Sequence, residues 1–174
     1  MTIQTINIGN VVNDVTQSRI PVDPCIVPEV IKLYRNLDND CGIAGVALLR
    51  SAGASKTLLR LRTLRMRTNP YPWFADTFTQ IQSAVGDLTI YEWWFLCGEP
   101  LAEYPWHVHN FPKTGVLYIQ TPENSGGIEF RKQEEYYTHI PQAGEFLLFP
   151  GSLSHRILKN MSTDFRISVA FNFK

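Results

Sequence analysis

The sequence predicts a mainly β fold with flanking helices, a sandwich or jelly roll, and three observations predict it. From Leu88 onward apolar and polar residues alternate with a period of two, and the composition turns aromatic and β-branched. Gly, Pro and Asn interrupt that pattern at short intervals, giving about eight strand-length segments. Before Leu88, by contrast, two stretches carry the apolar spacing of amphipathic helices. Many short antiparallel strands in this arrangement bury one face of each sheet against another.

Taken in order, residues 1–27 mix β-branched residues with Asn, Asp and Pro and read as short strand pieces and turns. Pro28 to Leu37 places Val30, Ile31, Leu33, Tyr34 and Leu37 at near-helical spacing behind a proline, which opens a packing helix. Arg50 to Thr68 carries Arg50, Lys56, Arg60, Arg62, Arg65 and Arg67 without an acidic residue. Its alternation slips at Thr63 and Leu64, so a bulged strand and a helix both fit. Most such stripes are solvated faces, although the segment Arg60 to Arg67 could contact an anion. Asn69 to Phe74 is a turn, and Ala75 to Val85 a second helix closed by Gly86 and Asp87. The strand segments are Leu88 to Leu96, Tyr104 to His109, Thr114 to Thr121, Gly127 to Arg131, Tyr136 to Ile140, Glu145 to Phe149, His155 to Lys159 and Phe165 to Phe173. Residues 1–174 are expected to form one domain, with 1–87 supporting a core built from 88–174.

Sixteen basic and 16 acidic residues balance, which removes any global pull toward nucleic acid or an anionic membrane. No apolar run approaches the roughly 18 residues of a membrane span. Charged residues make up only 18% of the chain, which argues for a buried core rather than disorder. Three widely spaced cysteines, Cys25, Cys41 and Cys97, with no secretion-signal pattern, fit a reducing cytoplasmic setting.

Chemistry concentrates in few residues. His107 and His109 stand two apart on a predicted strand, so both imidazoles share a face, and two converging imidazoles begin a site for iron, zinc or copper. His139 precedes a turn and reads as an ordinary turn or edge residue. His155 follows an apolar strand and a Pro-Gly turn, at a strand mouth. In a jelly roll that strand runs beside the one bearing His107, so three histidines meet there. Three neutral donors leave up to three positions open on a metal. In the last strand Phe165, Ile167, Val169, Phe171 and Phe173 form one apolar face, while Arg166, Ser168, Ala170 and Asn172 form the other. Arg166 and Ser168 therefore point either to solvent or into a polar cavity, where a guanidinium fork and a hydroxyl grip a carboxylate.

The ordered set HVHN, GVLYIQ, SGGIEF, PQAGEFLLFPGSLSH and RISVAFNF resembles the iron(II)- and 2-oxoglutarate-dependent oxygenases, particularly their small microbial, prolyl-hydroxylase-like branch. The likeness covers roughly Tyr91 to Lys174. It implies a double-stranded β-helix, cupin-like in its jelly roll, and oxidative decarboxylation of 2-oxoglutarate to succinate coupled to oxidation of a second substrate, a small molecule or peptide that the sequence does not name. By the resemblance His107 and His155 are ligands to Fe(II), Arg166 pairs with the distal carboxylate of 2-oxoglutarate, and Ser168 and Tyr118 are its hydroxyl partners. Tyr91, Trp93 and Asn172 would line the substrate pocket, and no catalytic side chain beyond the metal centre is implied. Trp93, Trp94, Trp106 and Phe111 would exclude water near the mouth.

One departure matters. The family's usual carboxylate ligand falls at position 109, where this chain has His109. As a ligand, His109 makes three neutral imidazoles, and with Fe²⁺ and dianionic 2-oxoglutarate the centre sums to zero charge. Such a site loses metal as pH falls below about 6.5. Otherwise the position is open to water or an anion. Two other readings stay in view: a cupin-type three-histidine metalloenzyme that needs no Arg166, and a non-catalytic jelly-roll binding module.

Overall fold

In the computed structural model of the chain, the structure describes residues 4–5, 15–36, 46–47, 61–66 and 68–174. Among the described residues, twelve strands and two α-helices follow one another as β1 (Gln4–Thr5), β2 (Thr16–Arg19), α1 (Ile26–Asn36), β3 (Val46–Ala47), β4 (Leu61–Met66), α2 (Ala75–Ala84), β5 (Ile90–Gly98), β6 (Tyr104–His107), β7 (Lys113–Gln120), β8 (Ile128–Lys132), β9 (Glu135–His139), β10 (Glu145–Pro150), β11 (Ser154–Ile157) and β12 (Arg166–Phe173). A short 3₁₀ turn, Pro72–Phe74, leads into α2. All eight strands expected after Leu88 form, within a few residues of their expected ends. Both helices form too, the first beginning earlier because a turn at Asp23, whose side chain accepts the Cys25 N–H at 2.8 Å, starts it before Pro28.

The strands build two antiparallel sheets. The larger has the order β1-β2-β10-β7-β12-β5-β4-β3 and the smaller β6-β11-β8-β9. One face of the large sheet is covered by the helices: Trp93, Phe95, Cys97, Leu117, Ile167, Val169, Phe171 and Phe173 pack against Ile26, Val30, Tyr34, Phe74 and Ile81. The other face meets the small sheet through Val116, Tyr118 and Phe149 against Ile128 and Phe130, and through Trp94, Leu96 and Ala170 against Tyr104 and Ile157. This is the mainly β, jelly-roll architecture that the period-two pattern predicts. Because β12 is central and covered on both sides, its polar alternate residues do not reach solvent.

The basic stretch resolves in part. Leu61–Met66 is a strand in unbroken register with β5, from Leu61 opposite Gly98 to Met66 opposite Trp93, so neither helix nor bulge forms there. The side chains of Arg60 to Arg67, and the anion contact considered for them, lie outside the described residues. Among the described residues no helix is long and apolar enough to cross a membrane.

Candidate active site

β6 and β11 are neighbours, and His155 stands directly opposite His107. Facing residues on one side of an antiparallel pair bring their side chains into contact, and the two imidazole centroids lie 4.2 Å apart. Beyond the end of β6, Val108 stands 58% exposed at the cavity rim, and His109 joins the cluster. Its ring sits 5.2 Å from that of His107 and 5.3 Å from that of His155. The potential donor atoms of the three residues all lie within 4.8 Å of one another.

Two local features hold this cluster. The His109 N–H donates to the Gly151 carbonyl at 2.8 Å, fastening the segment after β6 to the turn between β10 and β11. Position 151 must be glycine for that approach, since a Cβ there would meet the Phe111 carbonyl oxygen at 2.1 Å and that of His109 at 2.9 Å. Aromatic walls then orient the rings. Trp94 stacks over His109 at 5.9 Å and 20°, and Phe149 meets His155 edge-on at 5.0 Å and 72°.

The hydrogen bonds set the tautomers. His107 Nδ1 lies 2.9 Å from the Pro105 carbonyl and His155 Nδ1 2.9 Å from that of Leu153. A carbonyl only accepts, so both Nδ1 atoms carry the proton and both Nε2 atoms keep a lone pair, the arrangement of metal-binding histidine. Burial lowers the pKa of His107, with its backbone contacts acting the other way. Burial, reinforced by His107 and His109, lowers that of His155 to about 3. Neutral imidazoles with aimed lone pairs fit a divalent transition metal.

On the same side of the large sheet lies a cavity of about 210 Å³, whose lining includes the three histidines, Trp94, Tyr118, Arg166 and Ser168. Arg166 is 4% exposed. Its Nη1 donates to the carbonyls of Ser125 at 2.6 Å and Leu158 at 3.0 Å, whereas Nη2 is buried without a hydrogen-bond partner. No carboxylate pairs with it among the described residues. Burial brings its pKa down to about 10, with Tyr118 acting in the opposite direction, so the guanidinium is charged at neutral pH. An N–H left unpaired in the interior costs on the order of 1–3 kcal/mol, and more when charged. A carboxylate entering the cavity would recover that energy. Ser168 and Tyr118, 4% and 5% exposed, are opposite each other on β12 and β7 and line the cavity beside Arg166.

The substrate-pocket expectations need correction. Trp93 does not reach the cavity: the parity of β5 sends it to the helix side, 0% exposed against Phe74, Phe78 and Phe171, and brings Trp94 inward instead. Tyr91 is not part of the lining; it packs at 5.3 Å on Phe111 under the Lys174 ammonium. Trp106 faces away from the histidines and lies between Arg131 and Arg156. Asn172 does face inward, and bonds Thr114 and Glu92. His139 takes no part in the cluster but pairs with Glu145, a carboxylate 2% exposed. The sequence places Trp94 among the aromatics at the mouth but not as the ring over His109, and shows Gly151 only as part of a Pro-Gly turn.

Three imidazoles and a buried, half-satisfied arginine line one jelly-roll cavity, a donor set that could hold a metal ion beside a group suited to an anion. Comparison with known proteins narrows the class. Residues 128–172 match a family model described as "Putative 2OG-Fe(II) oxygenase", a stretch that includes His155, Arg166 and Ser168. Among solved structures, a Pseudomonas putida prolyl-4-hydroxylase superposes with a TM-score of 0.63 at 15% identity, covering 97% of this chain and all (100%) of its own. The 2-oxoglutarate-dependent carbocyclase SnoK of nogalamycin biosynthesis gives 0.63 at 13% identity, covering 90% of this chain and 78% of its own. A Trichoplax adhaerens prolyl hydroxylase, solved with a hypoxia-inducible-factor peptide fragment, gives 0.61 at 12% identity over 93% and 84%. No curated protein matches the sequence. The fold is that of solved 2OG-Fe(II) oxygenases, two prolyl hydroxylases among them, and the family resemblance read from the motifs agrees with the family model over residues 128–172.

Proposed function

We propose that the chain is an Fe(II)- and 2-oxoglutarate-dependent oxygenase with a three-histidine metal centre. The observation that carries this reading is the buried Arg166 Nη2, which has no partner in the same cavity as the histidine cluster. His107 and His155 would hold the iron through Nε2, and His109 would complete the set. Fe(II) with 2-oxoglutarate would supply the oxidative chemistry, dioxygen being the oxidant, with the co-substrate converted to succinate and carbon dioxide while a second substrate is oxidised. Arg166 binds the distal carboxylate through Nη2, with Ser168 and Tyr118 adding hydroxyl donors. Leu96, Val116 and Ala170 give the cavity an apolar wall that limits access of water. The unpaired thiols Cys25 and Cys97 support a reducing, cytoplasmic setting, in which iron stays Fe(II). A three-histidine enzyme independent of 2-oxoglutarate would leave the buried guanidinium unexplained.

Anaerobic titration of the Fe(II)-protein with 2-oxoglutarate tests the reading. A weak visible charge-transfer band is expected, with affinity falling at least about tenfold in Arg166→Ala, the loss of one charge-assisted pair. Absence of the band in the wild type would sink the proposal.

A further inference from the structure

Of the described glycines, Gly98 at the end of β5 is the one whose backbone does not require the residue. Every other has either a positive φ or a position where a Cβ would come closer than 3.0 Å to a neighbour, as at Gly115 against Phe146. Gly98 has neither, and it is paired on both sides, with Arg166 on β12 and Leu61 on β4. Glycine weakens a paired strand, and where no bend or bulge explains it, it marks a place where a ligand or another chain comes close. The space beside Gly98 belongs to the cavity, which Trp94, Leu96 and Gly98 line from alternate positions of β5.

A Cβ on Gly98 would lie 3.6 Å from Arg166 Nη2 and 3.8 Å from the Ala102 Cβ. It would stand against the guanidinium nitrogen left without a partner. Neither side of this contact is free to move. Arg166 Nη1 is tied to the carbonyls of Ser125 and Leu158. Asn160, 0% exposed, donates through Nδ2 to the Gly98 carbonyl at 3.0 Å and to that of Asp164 at 2.8 Å. A methyl group added at position 98 would therefore stay at Nη2, and a carboxylate oxygen at hydrogen-bond distance from that nitrogen would compete with it for one place.

Resting on the oxygenase reading, we infer that Gly98 is a specificity-determining residue for the co-substrate: its missing side chain leaves the room beside Arg166 Nη2 in which the distal carboxylate is seated. A 2-oxo acid without a distal carboxylate has no use for that room.

The test compares 2-oxoglutarate with 2-oxopentanoate, its analogue with a methyl group in place of the distal carboxylate, by anaerobic titration of the Fe(II)-loaded protein followed through the chelate band. The wild type should bind 2-oxoglutarate more tightly; equal affinities, or no band with 2-oxoglutarate, would overturn the co-substrate reading and this inference with it. Gly98→Ala should weaken 2-oxoglutarate at least about tenfold, the loss of one charge-assisted hydrogen bond, and leave the affinities for 2-oxopentanoate and Fe(II) unchanged. In an Arg166→Ala background the same substitution should have no further effect. A Gly98→Ala protein that binds 2-oxoglutarate like the wild type, or that loses both acids equally, overturns the inference while leaving the co-substrate reading intact. Ala102→Gly widens the same space and decides the matter should Gly98→Ala not fold. It should improve the affinity for 2-oxoadipate, one methylene longer, relative to 2-oxoglutarate, and an unchanged ratio overturns the inference.

Discussion

His155 shows how a single side chain ties the site to the conditions in which the protein works. In the fold it is neutral, with a pKa of about 3 against 6.5 for the free group. Between those values the unfolded chain binds a proton that the folded chain does not. Stability is therefore full above pH 6.5 and declines as pH falls toward 3. For the metal-free protein the loss from pH 7 to pH 5 is about 2 kcal/mol, visible in urea titrations at the two pH values. His155→Gln should show a smaller decline; an undiminished one would assign the pH dependence to other groups. The same burial refines the expectation that metal is lost below about pH 6.5, because protons compete weakly for His155. At this scale the sequence told much. The two-residue spacing pairs His107 with His109, and the expected strand order adds His155. Arg166 could be assigned to solvent or cavity from alternation alone, and the two-sided cover of β12 decided for the cavity.

Elements decide what alternation leaves open. Residues 93–97 of β5 read WWFLC, an apolar run buried on both faces, and such a run gives no parity. Trp93 and Trp94 are therefore indistinguishable until the register with β12 is known, which turns Trp94 toward the histidines and Trp93, expected in the substrate pocket, toward the helices. The turn between β10 and β11 has a similar lesson. Gly151 sits in a Pro-Gly turn that is locally ordinary, and its role comes from the approach of the His109–Phe111 backbone, which no local pattern records. Gly151→Ala should push that backbone away. The expected result is retention of a folded protein, destabilised by about 1–3 kcal/mol, with Fe(II) affinity lowered to the level of His109→Ala. Equilibrium dialysis of the variants against Fe(II) checks this. If Gly151→Ala binds iron like the wild type, the turn does not position the third imidazole.

For the whole molecule, the helices and the small sheet cover opposite faces of one large sheet, so the cavity is walled by two layers and metal binding is linked to global stability. Fe(II) held by the native state alone, at a free concentration about one hundred times its Kd, adds about 2.7 kcal/mol. Anaerobic thermal melts should rise by several degrees with Fe(II), and rise again with 2-oxoglutarate in the wild type but not in Arg166→Ala. A melt insensitive to both would mean that the histidines do not form a working site. The central position of β12 has a consequence for how the site comes into being. β5 and β7 are separated in the sheet and joined only by β12, which follows both in the chain. The strand that zips the two halves together also delivers Arg166 and Ser168. A chain caught before that closure has its imidazoles without the anion anchor. Under the proposed function such a chain would not recruit the co-substrate that starts oxygen chemistry, and a half-folded molecule would be protected from oxidising itself.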